Sequence, residues 1–187
     1  MNHIALSELE RARYYMVEQQ IRPWNVSDEK VLQALVEVQR ERFVPSSLRS
    51  SAFSDTELPL IINAVDTHET MLSPKVEARL AQELLLQPSD GVLEIGTGSA
   101  YQAVVLAEMG AMVYTIERQK KLFDSNDEFK FLKKYPTIKF FYRDGYEGLP
   151  TFAPFDRVII TAAAPYVPPK LIEQMKVGGM MVIPVGT

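Results

Sequence analysis

The sequence predicts an α/β chain: a doubly wound, mainly parallel sheet with a helical N-terminal cover. Three observations predict it. From Ser73 onward, short apolar runs alternate with helical patterns. Those runs are β-branched and unbroken, as expected of strands buried on both faces. The first of them ends in Gly96-Thr97-Gly98, directly before a helical pattern. Strand–helix–strand alternation implies right-handed crossovers and parallel pairing.

Residues 1–73 read as helices and irregular segments that cover the rest. Ser7 to Ile21 is a charged amphipathic helix. A second helix starts at about Ser27, a suitable N-cap, and carries Val31, Leu32, Leu35, Val36 and Val38. Pro23, Pro45 and Pro59 punctuate the connections. Residues 74–187 form the α/β core. Ser73-Pro74 opens a helix, a serine N-cap followed by proline at the first helical position. Gly91–Ile95 is a strand, and a helix with Val104, Val105 and Leu106 follows the glycine turn. Val113–Glu117, Ile138–Tyr142, Asp156–Thr161 and Met180–Val185 are the next strands. Helices over Gln119–Lys134 and Pro169–Lys176 lie between them. A sheet whose final strand is Met180–Val185 exposes an edge. That predicts further chain or a second subunit, a homodimer partner, covering it.

Composition narrows the chemistry. The 187 residues suffice for one domain with a sizeable core. A net charge of −4 argues against nucleic acid or an anionic membrane as the main partner. There is no cysteine, which excludes disulfides and thiolate chemistry. With His3 and His68 the only imidazoles, no multi-histidine metal site is expected. The N-terminus carries charges throughout and does not read as a secretory signal. No apolar run is long enough to span a membrane. A cytoplasmic protein is therefore the expectation.

The strongest motif is Val92-Leu93-Glu94-Ile95-Gly96-Thr97-Gly98-Ser99-Ala100-Tyr101. Glycines where a strand turns into a helix let a ligand approach the backbone, at the carboxyl ends of the strands near the topological switch point. A dinucleotide site reads G-x-G-x-x-G/A. Here Tyr101 takes the last position and is expected to crowd a diphosphate, which disfavours an NAD-dependent dehydrogenase. An acidic residue before the turn, Glu94, suits a cationic ligand without phosphate, as S-adenosylmethionine is. Glu117 closes the second strand, 23 residues after Glu94. At that position a carboxylate accepts hydrogen bonds from ribose hydroxyls. Asp144-Gly145 closes the third strand and places a carboxylate near an adenine. Glu94, Gly96, Thr97, Gly98, Glu117, Arg118, Asp144 and Gly145 are the candidate cofactor residues.

From about Met16 to Thr187 the chain resembles the protein-L-isoaspartate O-methyltransferase family. The likeness rests on Arg40-Glu41-Arg42-Phe43-Val44-Pro45 with Asp55 after it, on Leu93–Ser99, and on Thr115-Ile116-Glu117-Arg118. Ala153–Pro165, Lys176-Val177-Gly178-Gly179 and Ile183–Thr187 add to it. The resemblance implies a Rossmann-like methyltransferase fold and S-adenosyl-L-methionine as methyl donor. It implies protein or peptide substrates bearing isoaspartyl residues, and a role in protein repair. Family chains continue past the closing segment into further strands.

One departure concerns the acceptor. The family carries T-I-S-Q-P, with a serine near the methyl acceptor; here the stretch is Thr70-Met71-Leu72-Ser73-Pro74. Leu72 stands at the serine position and cannot hydrogen-bond a carboxylate. Thr70 and Ser73 are the remaining candidates beside the acceptor, with His68 and Glu69 in the same segment. The expectation is cofactor binding with weak or absent isoaspartyl methylation. Methylation of another small acceptor, or cofactor binding without turnover, are the alternatives. An isoaspartyl α-carboxylate has a pKa of roughly 3.3–3.7 and is ionised at neutral pH. No strong general base is then required, and alignment of the reactants carries the rate, at roughly 7–11 kcal/mol.

Overall fold

The N-terminal cover and the sheet share one hydrophobic core. The computed structural model describes residues 6–162 and 164–186, apart from the side chains of Asp127 and Glu128. Helix α1 spans Glu8–Tyr15 and opens on a capping box. The Ser7 hydroxyl accepts from Glu10 N at 3.3 Å, and Glu10 Oε2 accepts from Ser7 N at 2.7 Å. The helix does not run unbroken to Ile21 as its pattern suggests. It widens into a π-helical stretch over Met16–Ile21 that buries Met16, Val17 and Ile21, then tightens at Arg22–Trp24. Helix α2 (Glu29–Glu37) is capped by Asp28, not Ser27: Asp28 Oδ1 accepts from Lys30 N at 2.9 Å. It buries Val31, Leu32, Ala34 and Leu35. Each large aliphatic side chain buried there contributes about 1.5–3 kcal/mol.

The main correction to the sequence reading lies between Leu58 and Met71. Instead of irregular chain, strands β1 (Leu58–Ile62) and β2 (Val65–Met71) form an antiparallel hairpin. Asn63 and Ala64, at φ 50° and 62°, make its two-residue turn, the left-handed geometry that suits the twist of paired strands. Leu60 faces a bulge on β2, where His68 takes φ 60° and Thr67 Oγ1 donates to the Leu60 carbonyl at 2.7 Å.

The core follows as α3 (Pro74–Glu83), β3 (Gly91–Ile95), α4 (Tyr101–Glu108), β4 (Met112–Glu117), α5 (Lys120–Glu128), β5 (Ile138–Tyr142), β6 (Phe155–Ile160), α6 (Pro169–Glu173) and β7 (Met175–Val182). The five strands β3–β7 are all parallel, in the order β5-β4-β3-β6-β7. Successive residues serve opposite faces: Val92 and Ile159 join the core under α3, α4 and the cover, while Leu93, Val158 and Ile160 join the one under α6. Three sequence-read boundaries shift. The helix after β4 breaks at Phe129 into a 3₁₀ stretch, Lys130–Lys134. Helix α6 ends at Glu173. Strand β7 begins at Met175 and loops out around Gly178-Gly179 before pairing Met180 with Arg157.

Candidate active site

Strand order reverses between β3 and β6, and the site residues gather at that carboxyl edge. After β3 the chain turns through Gly96 (φ 97°), Thr97 and Gly98 (φ 51°). A Cβ on Gly96 would lie 2.7 Å from Thr161 Oγ1, so only glycine lets β3 turn beside the end of β6. Thr161 in turn donates to the carbonyl of Gly96 at 2.8 Å. Ala100, fully buried, takes φ 66° and ψ 6° at the entry to α4. It adopts the conformation that a glycine would otherwise supply.

Glu117, at the end of β4, is 5% exposed and grips the turn from the side. Its Oε2 accepts from Gly98 N at 2.9 Å and its Oε1 from Gln119 N at 2.8 Å. Each oxygen keeps a second lone pair for a ligand. Asn126 of α5 holds the same turn, its Nδ2 donating to the Gly98 carbonyl at 3.1 Å. After β5, exposed Asp144 caps a 3₁₀ turn by accepting from Tyr146 N at 3.0 Å. Gly145 beside it sits so close to Ile95 that a Cβ would overlap the Ile95 Cγ2 methyl.

Glu94 lies beneath this edge, fully buried. Thr115 Oγ1 donates to Glu94 Oε2 at 2.5 Å, and the Thr115 and Thr97 hydroxyls are 2.6 Å apart. Glu94 Oε1 has no hydrogen-bond partner. Burial pushes the Glu94 carboxyl up to about 8; the Thr115 hydrogen bond opposes this and the charges of Glu77 and Glu117 add to it.

The hairpin covers the turn from above. Leu60 Cδ1 lies 3.5 Å from where a Cβ on Gly98 would stand. Glu69 ties the hairpin to the end of β4: its Oε1 accepts from Gln119 Nε2 at 2.9 Å and pairs with Arg118, whose side chain is 75% exposed, at 3.4 Å. Thr70 is exposed and donates to Glu57 Oε2 at 3.2 Å. Leu72 and Ser73 are half-buried. Ser73 occupies the N-cap position of α3, but its hydroxyl does not cap the helix. Proline at the first helical position has removed one amide there, and the Ser73 carbonyl accepts from Glu77 N at 3.1 Å. Exposed His68 donates its own backbone N–H to Asp66 Oδ1 at 2.8 Å and takes no part in the turn. Tyr101 does not crowd the ligand side. It is buried under the cover, edge-on to Phe43 at 5.3 Å, and so carries no argument against a diphosphate.

The profile of the protein-L-isoaspartate(D-aspartate) O-methyltransferase family matches residues 11–187. The chain is 42% identical over 162 residues to the protein-L-isoaspartate O-methyltransferase of Christiangramia forsetii, covering 87% of this chain and 74% of that one. The chain belongs to the protein-L-isoaspartate(D-aspartate) O-methyltransferase family. This methyltransferase is an S-adenosylmethionine-dependent enzyme of carboxyl methylation. Its fold is similar to a solved protein-L-isoaspartate O-methyltransferase, with TM-score 0.79 at 25% identity, over 94% of this chain and 55% of that one. A Plasmodium falciparum structure named for the same activity, in complex with S-adenosyl-L-homocysteine, also gives TM-score 0.79, at 21% identity, over 94% of this chain and 84% of that one.

The site fits the family's methyl donor on its own geometry. Gly96 after β3 and Gly145 after β5 let the backbone pack directly against Thr161 and Ile95, on either side of the end of β4. Two acidic side chains, Glu94 and Glu117, are buried at this edge, and Glu94 Oε1 has no hydrogen-bond partner, which suits a cationic ligand. Among the described residues, no group of three His, Asp or Glu is placed to hold a metal, and no helix is long and apolar enough to cross a membrane. Sequence reading missed Thr115, Asn126 and Thr161. Each holds the turn from a separate element, and only Thr161, closing a recognised strand, carried a positional signal.

Proposed function

We propose that this methyltransferase binds S-adenosylmethionine across Gly96–Gly98 and methylates the α-carboxylate of isoaspartyl residues in proteins and peptides. Glu117 takes the ribose hydroxyls through its free lone pairs. Asp144 and Gly145 border the adenine, and Glu94 and Thr97 support the turn below. Arg118, paired to Glu69, belongs to the rim. The observation that carries this reading is convergence: Glu94, Glu117 and Asp144, with the constrained Gly96 and Gly145, lie at the carboxyl ends of the neighbouring strands β3, β4 and β5, in a chain of this family.

The bound donor supplies an electrophilic methyl on its sulfonium. The chain's residues hold the acceptor and exclude water. Thr70 lies where the acceptor enters, and its hydroxyl turns from Glu57 to the incoming carboxylate. Leu72 offers only an apolar wall, and Ser73, free of capping duty, has a hydroxyl available. An ionised carboxylate needs no base to attack, which agrees with a site without a buried histidine among the described residues. The test is methyl-ester formation on an isoaspartyl peptide against its normal aspartyl isomer. Turnover confined to the isoaspartyl peptide supports the proposal, and equal or absent turnover on both overturns it.

A second reading, transfer to another small acceptor, is favoured by Leu72 and by the Glu57 carboxylate 3.2 Å from Thr70 Oγ1. The outer edge of β7 has no partner strand among the described residues. Further chain or a second copy would cover it, and sedimentation distinguishes dimer from monomer. The reading includes a cytoplasmic setting, supported by an N-terminus without the pattern of a secretory signal, and fractionation tests it.

A further inference from the structure

Glu94 is linked to the glycine turn by side chains alone. Its Oε2 meets Thr115 Oγ1 at 2.5 Å, and Thr115 Oγ1 meets Thr97 Oγ1 at 2.6 Å. All three residues are at least nine-tenths buried. Thr97 is the middle residue of the turn, and its backbone N–H donates to the Ile116 carbonyl at 3.1 Å. The chain of hydroxyls thus crosses from β3 through β4 and back to the turn.

A carboxylate only accepts hydrogen bonds. When Glu94 is ionised, Thr115 donates to it and Thr97 donates to Thr115. A protonated Glu94 can donate instead, and both hydroxyls then reverse. Ionised Glu94 therefore fixes the direction of both hydroxyls, including the one in the turn, and protonated Glu94 leaves both free to reverse. Oε1 has no partner, so an ionised Glu94 without the donor would be incompletely satisfied, and a buried unpaired charge is costly.

The groups around Glu94 give it no compensating cation. Glu77 on α3 and Glu117 on β4 are both acidic and disfavour its ionisation. Arg40 of the cover is committed to Glu77. Its neighbours in register are Thr115 on β4 and Ile159 on β6, both uncharged.

We infer that Glu94 is a positioning residue that fixes the glycine turn through Thr115 and Thr97, and that it gives up its proton when the cationic methyl donor binds over that turn. This rests on the placement of the donor proposed above. The proton leaves the carboxyl for solvent, and the donor's positive charge replaces it. Burial holds the carboxyl near 8 in the empty protein. Loading near neutral pH therefore releases protons, and affinity rises with pH until Glu94 is ionised beforehand.

The test is calorimetric binding of S-adenosylmethionine without acceptor, in buffers of different ionisation heat. The wild type is expected to release a substantial fraction of one proton per donor near neutral pH, falling toward zero above about pH 9, one unit past the Glu94 pKa of about 8. Glu94→Gln is expected to bind without that release. Thr115→Ser is expected to keep affinity within about twofold, and Thr115→Val to lose about tenfold, the equivalent of one lost hydrogen bond of about 1.4 kcal/mol. A wild type that binds without releasing protons overturns the inference and leaves the donor site standing. So does equal release by Glu94→Gln, or equal affinity of the valine and serine variants. A wild type that does not bind the donor removes both. The wild-type proton count decides the matter even where Thr115→Val does not fold.

Discussion

Arg40 Nη2 donates to the carbonyl of Leu72 at 2.7 Å, joining the cover to the acceptor segment across 32 residues. The same guanidinium pairs with Glu77 of α3, donates from Nε to the Ala52 carbonyl at 2.9 Å, and lies 4.7 Å from the Tyr101 ring. Arg40 is fully buried. Arg40→Ala leaves Glu77 charged or protonated without its partner and two carbonyls unbonded. Breaking a buried pair this way costs about 3–5 kcal/mol. Denaturant midpoints are expected to show that loss, with isoaspartyl turnover falling further than donor affinity. A loss under 1 kcal/mol on that scale would mean that water takes the place of the guanidinium.

Glu117→Ala removes the carboxylate that holds Gly98 N and Gln119 N. Donor affinity is expected to fall by about 1–3 kcal/mol, the range for hydrogen bonds to a charged group. Calorimetry with S-adenosylmethionine measures it. Unchanged affinity in a folded variant removes Glu117 from the ribose site.

Glu94 makes the empty protein less stable as pH rises. Its folded carboxyl titrates near 8, against an ordinary 4.5. Between those values the unfolded chain has released this proton and the folded chain has not. This contribution is fully present below about pH 4.5 and lost as pH rises toward 8, by up to about 1.4 kcal/mol per pH unit. Glu94→Gln has nothing to ionise, so its denaturation midpoint is expected to fall less than that of the wild type over the same range. Parallel pH profiles for the two proteins contradict this.

Leu72→Ser restores a hydroxyl beside the acceptor. One such bond is worth about 0.5–1.5 kcal/mol. That predicts a gain in kcat/KM of up to roughly tenfold on an isoaspartyl peptide, with donor affinity unchanged. No gain, together with no effect of Ser73→Ala, places the acceptor away from this segment.

The parallel strands were legible because both their faces are buried, so Val92-Leu93 and Val158-Ile159-Ile160 read as unbroken apolar runs. The hairpin was not. Its turn is Asn63-Ala64, which adopts left-handed geometry without the glycine that announces it. Pro59 argued against a strand, and β2 is largely polar because much of it faces solvent. Within the site, Gly96, Gly98 and Glu117 stood out because each closes a strand. Thr115 and Asn126 did not, since what matters about them is a partner 18 to 28 residues away. Ser73 showed the opposite failure: the sequence marks it as a cap, and the backbone places it there, but its hydroxyl does not cap.

Ala100 bears on what a motif specifies. A non-glycine residue in the left-handed region costs about 1–2 kcal/mol. Its methyl, wholly enclosed, returns about 0.8 kcal/mol that a hydrogen atom would forgo. The two nearly offset each other, so alanine and glycine are close to interchangeable at the mouth of α4. Gly96 has no such latitude, because Thr161 occupies the space where a side chain would go. Drift is therefore open at one corner of the loop and closed at another. Divergent relatives are expected to vary at the former while the latter holds still.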